Sequence, residues 1–178
     1  MTTQTREQLH IPAIEGFAPE IGRAIWMLED TRTVTGLRLE GIAPEVIDWQ
    51  PPAGNSIGTL LYHIAAIEMD WLYTEVMESH LPESVWEPFS YPVRGADGRL
   101  TVVSGISLDA HFKRLDFTRR TLLDVFQHMS LEDFRRPRAA ERYDVTPAWV
   151  IHHLIQHETE HRGEIAIIRS LAEAQLSV

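Results

Sequence analysis

Two histidines four residues apart interrupt an apolar stripe in the last third of the chain. In a helix, His157 and His161 project within about 40° of each other around the axis. The apolar residues of the same sector are Val150, Leu154, Ile165 and Ile168. Polar side chains buried in such a stripe are costly unless they share a partner. Because histidines at i and i+4 can chelate one divalent ion through neutral imidazole nitrogens, the spacing predicts a metal site.

Glu164 lies beside the two histidines in the same predicted helix. Its carboxylate has three candidate roles, namely a fourth ligand, a catalytic base for a bound water or thiol, and a partner for an arginine. It is a better candidate for the base than Glu158, because Glu158 points about 90° away from the stripe. A metal-free alternative stays open, in which the histidines hydrogen-bond one another and Glu164.

A third ligand is needed because two histidines leave a divalent ion under-coordinated. The second predicted helix offers His63, which lies on the shoulder of its apolar stripe. For Asp70, two turns further along that shoulder, a solvated aspartate is the preferred prediction, and orienting His63 is the alternative. His153, one turn before His157, is a further candidate, either as a metal ligand or as a residue that contacts a metal ligand without binding the ion.

The histidine pair also matches the zinc-protease pattern H-E-x-x-H at residues 157–161, in which the glutamate is a general base. The wider sequence does not support a protease. No third histidine follows at the metzincin spacing, and no strand is predicted beside the helix to bind a peptide. The metal prediction therefore does not depend on this motif.

Four long stretches with apolar residues every three or four positions predict the helices that position these histidines. They cover residues 19–39, 56–79, 107–129 and 146–174. Residues with short polar side chains precede three of them and are expected to cap the first turn. The expected N-caps are Asn55 or Ser56, Ser107 and Thr146.

The connections between these helices differ in length. Short helical turns are predicted at 44–48 and 130–134, whereas the stretch 80–105 is long and contains several prolines and glycines. A small strand is predicted at 99–103 within it. Four residues of this stretch have two possible roles: they line the entrance of a substrate site, or they only pack against the fold. They are Trp86, Phe89, Tyr91 and Arg94. The pattern predicts an all-α fold, a four-helix bundle with a long connection between helices 2 and 3, in one domain over residues 1–178.

Composition excludes several other kinds of protein. The 178 residues carry a net charge of −10 and no cysteine, which excludes disulfides, thiolate metal sites and cysteine nucleophiles. The negative charge makes nucleic acid a poor partner, and no apolar run predicts a signal peptide or a membrane span. A cytoplasmic protein is expected. The one basic cluster, Arg135, Arg136 and Arg138, is expected to be a solvated loop.

One histidine in the second helix is combined with a late H-x3-H-R-G sequence, and tryptophans lie on both sides of the first histidine. The residues that carry this pattern are Trp49, Pro51, Asn55, Ser56, His63, Trp71, Thr146, His157, His161, Arg162 and Gly163. In this combination the chain resembles the DinB/YfiT-like superfamily over nearly its whole length. Glu164 departs from that family, which often has glutamine at this place.

The resemblance implies a four-helix bundle in which His63, His157 and His161 hold a divalent metal. It also implies a homodimer and, for some members, transfer of a low-molecular-weight thiol to electrophiles. We therefore expect a metal-dependent S-transferase that acts on a small molecule, with Glu164 as the candidate catalytic residue. A metal-dependent hydrolase and a non-catalytic, metal-stabilised, stress-associated binding protein are the alternatives. Zinc or nickel is expected, with iron as an alternative, because histidine nitrogens suit all three.

Overall fold

The computed structural model describes residue 6 and residues 8–176, and within them the fold is all-α. Four of the helices are long, and they carry the predicted site. The helices are α1 (Pro19–Leu37), α2 (Pro44–Asp48), α3 (Ile57–Trp71), α4 (Glu83–Trp86), α5 (Leu108–Gln127), α6 (Leu131–Arg135) and α7 (Pro147–Leu176). A π-helical turn (Leu72–Val76) continues α3, and a short hairpin of β1 (Arg138–Ala139) and β2 (Asp144–Val145) precedes α7.

The helices begin where the capping residues predict. The side chains of Ser56, Ser107 and Thr146 each accept a hydrogen bond from the backbone N–H three residues further on, at 3.2, 3.2 and 3.1 Å. These bonds satisfy N–H groups that have no partner inside the helix. The predicted short helical turn at 44–48 is confirmed by α2, and the one at 130–134 is confirmed within one residue by α6.

The long connection between α3 and α5 differs from its prediction. The strand predicted at 99–103 is wrong, since the described chain there forms only an isolated bridge between Arg94 and Leu100. A side chain holds the end of this segment in place, because the Val103 N–H donates to the Thr59 hydroxyl at 3.0 Å. The pattern of residues along the chain does not reveal that a backbone N–H will bond to a side chain of another element instead of to a neighbouring strand.

The four long helices pack around a shared apolar interior. α1 packs against α7, and α3 packs against both α5 and α7. The largest side chains that are fully buried include Ile21, Leu28, Leu60, Met69, Leu115 and Phe126. None of the helices in the described part of the chain is both long enough and apolar enough to cross a lipid bilayer.

Gly58 allows α3 to approach α5 closely. A Cβ atom at this position would lie 3.1 Å from Nε2 of His111 and 3.4 Å from the Val103 carbonyl oxygen. His111 itself is almost fully buried. Burial, followed by the nearby Arg114 charge, lowers the pKa of His111 to about 4. A neutral imidazole therefore packs against the glycine at pH 7.

A buried network of four charged residues joins the four long helices. Its members are Arg32 of α1, Glu68 of α3, Arg119 of α5 and Glu158 of α7. Both glutamate side chains are only 2% exposed. Isolated charges at such depth would be very costly, so each must be paired and hydrogen-bonded.

The pairing within this network is nearly complete. Arg32 donates to Glu68 at 2.8 Å and to Glu158 at 2.9 Å. Arg119 contacts both carboxylate oxygens of Glu68 at 3.0 Å, and it also bonds to Glu29 at 2.6 Å. Burial alone would raise the pKa of Glu68, but the two guanidinium groups outweigh it and hold that pKa below its usual value. Glu68 is therefore ionised at neutral pH.

The basic cluster near α6 is only partly solvated. Arg135 and Arg136 are exposed and pair with Glu20 and with Glu78, respectively. Arg138 is 3% exposed and donates to the Val76 carbonyl oxygen at 2.7 Å. The prediction of a solvated loop is therefore wrong for Arg138, whose guanidinium fixes the hairpin to the π-helical turn.

Replacing Glu68 with glutamine tests the charge network. We expect Glu68→Gln to lower the free energy of unfolding by about 3–5 kcal/mol, because Glu158 would then be the one buried carboxylate of the network for two arginines. Urea denaturation followed by circular dichroism measures this change. The control is Glu20→Gln, which breaks the exposed pair with Arg135 and should cost far less. Equal losses in the two variants would contradict a central role for the network.

Candidate metal centre

Two helices bring three histidine nitrogens to one point. α3 carries His63, and α7 carries His157 and His161 one turn apart. The Nε2 atom of His157 lies 3.1 Å from Nε2 of His63 and 3.2 Å from Nε2 of His161. The sequence prediction of these three residues as a group is therefore matched by their placement, and they form a candidate metal cluster in the described chain.

The spacing of these nitrogens fits a single ion. Zinc binds histidine nitrogens at about 2.0–2.1 Å in a tetrahedral arrangement, which separates neighbouring ligand atoms by about 3.3 Å. The two Nε2 distances are close to that separation, and the ligand atoms of the group all lie within 4.8 Å of one another. One divalent ion can contact all three imidazoles with little movement of the helices.

The electrostatics of the group keep the imidazoles in the form that binds metals. Burial, followed by the neighbouring His161, lowers the pKa of His63 to about 4. Burial and the adjacent histidines lower the pKa of His157 to about 3. Both rings are therefore neutral at pH 7, and their nitrogen lone pairs are available to a cation.

Hydrogen bonds alone do not satisfy these rings. Nε2 of His157 lies close to two other ring nitrogens. A neutral ring nitrogen can donate or accept only one hydrogen bond, so it can satisfy only one of these two contacts. In the described part of the chain, Nδ1 of His63 and Nδ1 of His161 are buried and make no hydrogen bond. A divalent ion would resolve the crowding at the three Nε2 atoms, while the two Nδ1 atoms stay without a hydrogen-bond partner among the described residues in either case.

Glu164 lies behind the group rather than inside it. Its side chain is 51% exposed, and one carboxylate oxygen lies 3.5 Å from Nδ1 of His161. That nitrogen is the one that faces away from the other histidines. Carboxylates in this position commonly orient a ligating imidazole and increase its basicity. The half-exposed carboxylate departs from the expectation that Glu164 is buried in the apolar stripe.

His153 and Asp70 lie near the group without joining it. The His153 ring stacks on Trp149 with centroids 5.3 Å apart, and its centroid lies 5.9 Å from that of His157. Asp70 makes no hydrogen bond to His63, whose Nδ1 has no partner among the described residues. Asp70 is exposed, as the preferred prediction of a solvated aspartate requires, and it does not orient His63.

Glu158 is used by the fold instead of the site. It bonds to Arg32 in the buried charge network, so the glutamate of the H-E-x-x-H pattern is not a base beside the histidines. The network is the feature that sequence analysis missed. A signal for it exists in α1, where Arg32 follows Ile21, Ile25 and Leu28 on the same buried helix face.

The long connection reaches the site through the residue next to His63. The Tyr62 hydroxyl donates to the Tyr91 carbonyl oxygen at 2.6 Å and accepts from the Tyr91 N–H at 2.9 Å. Phe89 packs edge-on against the Tyr62 ring and is buried. After burial and the neighbouring His161, the positive charge of Arg94 contributes to the low pKa of His63. Phe89 thus packs, while Arg94 lies close enough to influence the site.

The fold and the three histidines define an all-α protein with a candidate metal centre between two helices. The sequence profile of the DinB superfamily matches residues 27–165. The chain therefore belongs to the DinB superfamily. It is similar to the uncharacterized protein YkkA of Bacillus subtilis (strain 168), with 25% identity over 116 residues. The matched region covers 65% of this chain and 65% of YkkA.

Metal content tests the centre directly. We expect untagged protein to bind close to one zinc or nickel ion per chain, and His63→Ala to lose most of it because two ligands hold an ion weakly. Inductively coupled plasma mass spectrometry after gel filtration measures the ratio. His152→Ala is the control, since this exposed histidine lies on α7, the helix of His157 and His161, but outside the group. Equal metal content in wild type and His63→Ala would contradict the site.

Proposed function

We propose that the protein is a metal-dependent S-transferase that joins a low-molecular-weight thiol to an electrophilic small molecule. Its metal ligands in this proposal are His63, His157 and His161, and the ion is zinc or nickel. The observation that carries the proposal is the convergence of three neutral histidine nitrogens in a member of the DinB superfamily. The chain has no cysteine, so the thiol must come from a second substrate.

The chemistry that a divalent ion supplies when bound is Lewis acidity, which lowers the pKa of a coordinated thiol or water toward neutrality. In the proposed reaction, the thiol sulfur forms a bond to the electrophilic carbon. The leaving group departs with its electron pair, and the thiol proton passes to a base. Solvent water is the base that accepts this proton. Glu164, the candidate catalytic residue from the sequence, lies at Nδ1 of His161, which faces away from the other histidines, so we propose that it orients the His161 ring and does not contact the thiol.

The position of Glu164 also supports a catalytic over a purely structural ion. A closed tetrahedral site would need a fourth protein ligand. The candidate group contains only three residues, and Glu164 stands at the nitrogen of His161 that faces away from them. Three ligands leave a coordination position for a substrate, as in catalytic zinc sites.

A conjugation assay tests the proposed function. Metal-loaded protein is incubated with cysteine, coenzyme A or glutathione and with 1-chloro-2,4-dinitrobenzene, and the release of chloride is followed. We expect His161→Ala to abolish the enzymatic rate, and Glu164→Gln to reduce it about 10–100-fold, as expected when a ligating histidine loses the carboxylate that orients it. His128→Ala, at an exposed histidine of the α5 end, should keep the full rate.

The same protein preparations separate the alternatives. Hydrolysis of p-nitrophenyl esters without any thiol, lost in His161→Ala, would support a metal-dependent hydrolase instead. Activity in neither assay, together with a rise of the melting temperature on metal addition, would support a non-catalytic binding protein. Either result would overturn the transferase proposal.

We also propose that the protein forms a homodimer through an apolar patch on α7. Ile167 and Leu171 are 64% and 51% exposed and lie one helical turn apart, with exposed Leu37 at the end of α1, which packs against α7. Clustered exposed apolar side chains favour association between chains.

The pairing of the four long helices supports a four-helix bundle. The cytoplasmic location and the single domain remain predictions from the sequence.

A charged double substitution tests the dimer. We expect wild-type protein to have the mass of a dimer in size-exclusion chromatography with light scattering. The variant Ile167→Glu with Leu171→Glu should have the mass of a monomer, because like charges would meet across the interface. Leu9→Glu is the control, since Leu9 is an exposed apolar residue in the segment before α1 and does not belong to the patch. A wild-type monomer, or an unchanged dimer in the double variant, would contradict this interface.

A further inference from the structure

A small aromatic cleft opens where α3 ends and α7 begins. Its volume is about 360 Å³. The residues that line it are Trp71, Tyr143, Asp144, Val145 and Trp149. Trp149 and Tyr143 are both 47% exposed although they are large aromatic residues. Flat apolar faces at a concave surface are typical of small-molecule sites, and none of the roles assigned above uses this cleft.

An unbroken series of rings connects the cleft to the histidine group. The centroids of Trp71 and Trp149 lie 5.5 Å apart, and that of His153 lies 4.2 Å from Trp71. His153 in turn lies 5.9 Å from His157. The cleft is therefore separated from the candidate metal ligands by the ring of His153.

The π-helical turn follows Trp71, a lining residue of the cleft, directly in the chain. Its backbone closes with the Met77 N–H donating to the Leu72 carbonyl oxygen at 3.0 Å. Within this turn, Glu75 accepts a hydrogen bond from the Tyr143 hydroxyl at 2.9 Å. This bond ties the hairpin to α3 and places the Tyr143 ring at the rim. Single π-turns inside helices occur frequently at functional sites.

The cleft has an acidic rim without a matching positive charge. Asp144 lines it, Glu75 is bonded to its Tyr143, and Asp70 precedes its Trp71. Among the described residues, no ion pair includes any of these three carboxylates. Arg142 lines the neighbouring groove rather than this one. Partial burial and the nearby Glu75 charge raise the pKa of Asp70, which is consistent with concentrated negative charge.

We propose that this cleft binds the cationic end of the substrate, an alkylated ammonium or a comparable organic cation. Aromatic ring faces attract such cations through their quadrupole, and the carboxylates add charge complementarity. The proposal rests on the proposed function only in one respect, namely that the rest of the bound molecule extends past His153 toward the metal ligands. Binding in the cleft itself does not require the metal.

Isothermal titration with three probes of similar size tests the cleft. The probes are the cation benzyltrimethylammonium, the neutral benzyl alcohol and the anion benzenesulfonate. We expect the cation to bind about five-fold or more tightly than the neutral probe and the anion not to bind. Trp149→Leu and Asp144→Asn should each weaken cation binding about five-fold. Trp26→Leu, on α1 away from the cleft, should leave it unchanged.

The result that overturns the proposal is equal or weaker binding of the cation, or the same affinity in wild type and in both cleft variants. Circular dichroism establishes that the variants are folded. The titration is repeated with His157→Ala protein to separate this proposal from the enzymatic one. Retained cation binding there, with metal and activity lost, supports the cleft independently. Thiol transfer by a wild type that binds no cation would refute the cleft alone.

Discussion

The buried charge network is the interaction on which the rest of the structure depends. Arg32, Glu68, Arg119 and Glu158 come from four different long helices, so each ion pair fixes one helix against another. Hydrophobic contacts alone tolerate small sliding of helices, whereas guanidinium–carboxylate pairs have a fixed geometry. The cost of leaving any member unpaired in the interior makes other registers unfavourable. The convergence of histidines from α3 and α7 is a consequence of that register.

The two functions of α7 are separated by direction around its axis. His157 faces α3 and the candidate ion, while the next residue, Glu158, faces the arginines inside the fold. The H-E-x-x-H pattern thus combines two unrelated roles in one turn. The cleft beside Trp149 adds a third element further toward the start of the helix. A single long helix therefore carries the proposed metal ligands, a structural anchor and the wall of the proposed cation site.

Local features of the fold could be predicted from the sequence, whereas long-range ones could not, except that the family resemblance grouped His63 with His157 and His161. Capping by Ser56 and Ser107 depends on neighbours three residues away, so the helix starts were predictable. The same holds for the spacing of His157 and His161. Arg32 and Glu158 are 126 positions apart, and nothing in the local pattern identifies one as the partner of the other. The prediction of a strand at 99–103 was wrong for a related reason, because the Val103 N–H bonds to the Thr59 hydroxyl of α3 and not to a neighbouring strand.

Neighbouring residues of α7 face different partners, and this restricts how the chain can vary over evolutionary time. One residue inserted into or deleted from the turn 157–161 would rotate the remainder of the helix by about 100°. The second histidine would leave the cluster, and the residues that follow would meet the wrong neighbours. Substitutions in this turn change one contact, whereas a change in length changes all later ones. We therefore expect length differences among relatives to fall in the connection between α3 and α5 and not in α7.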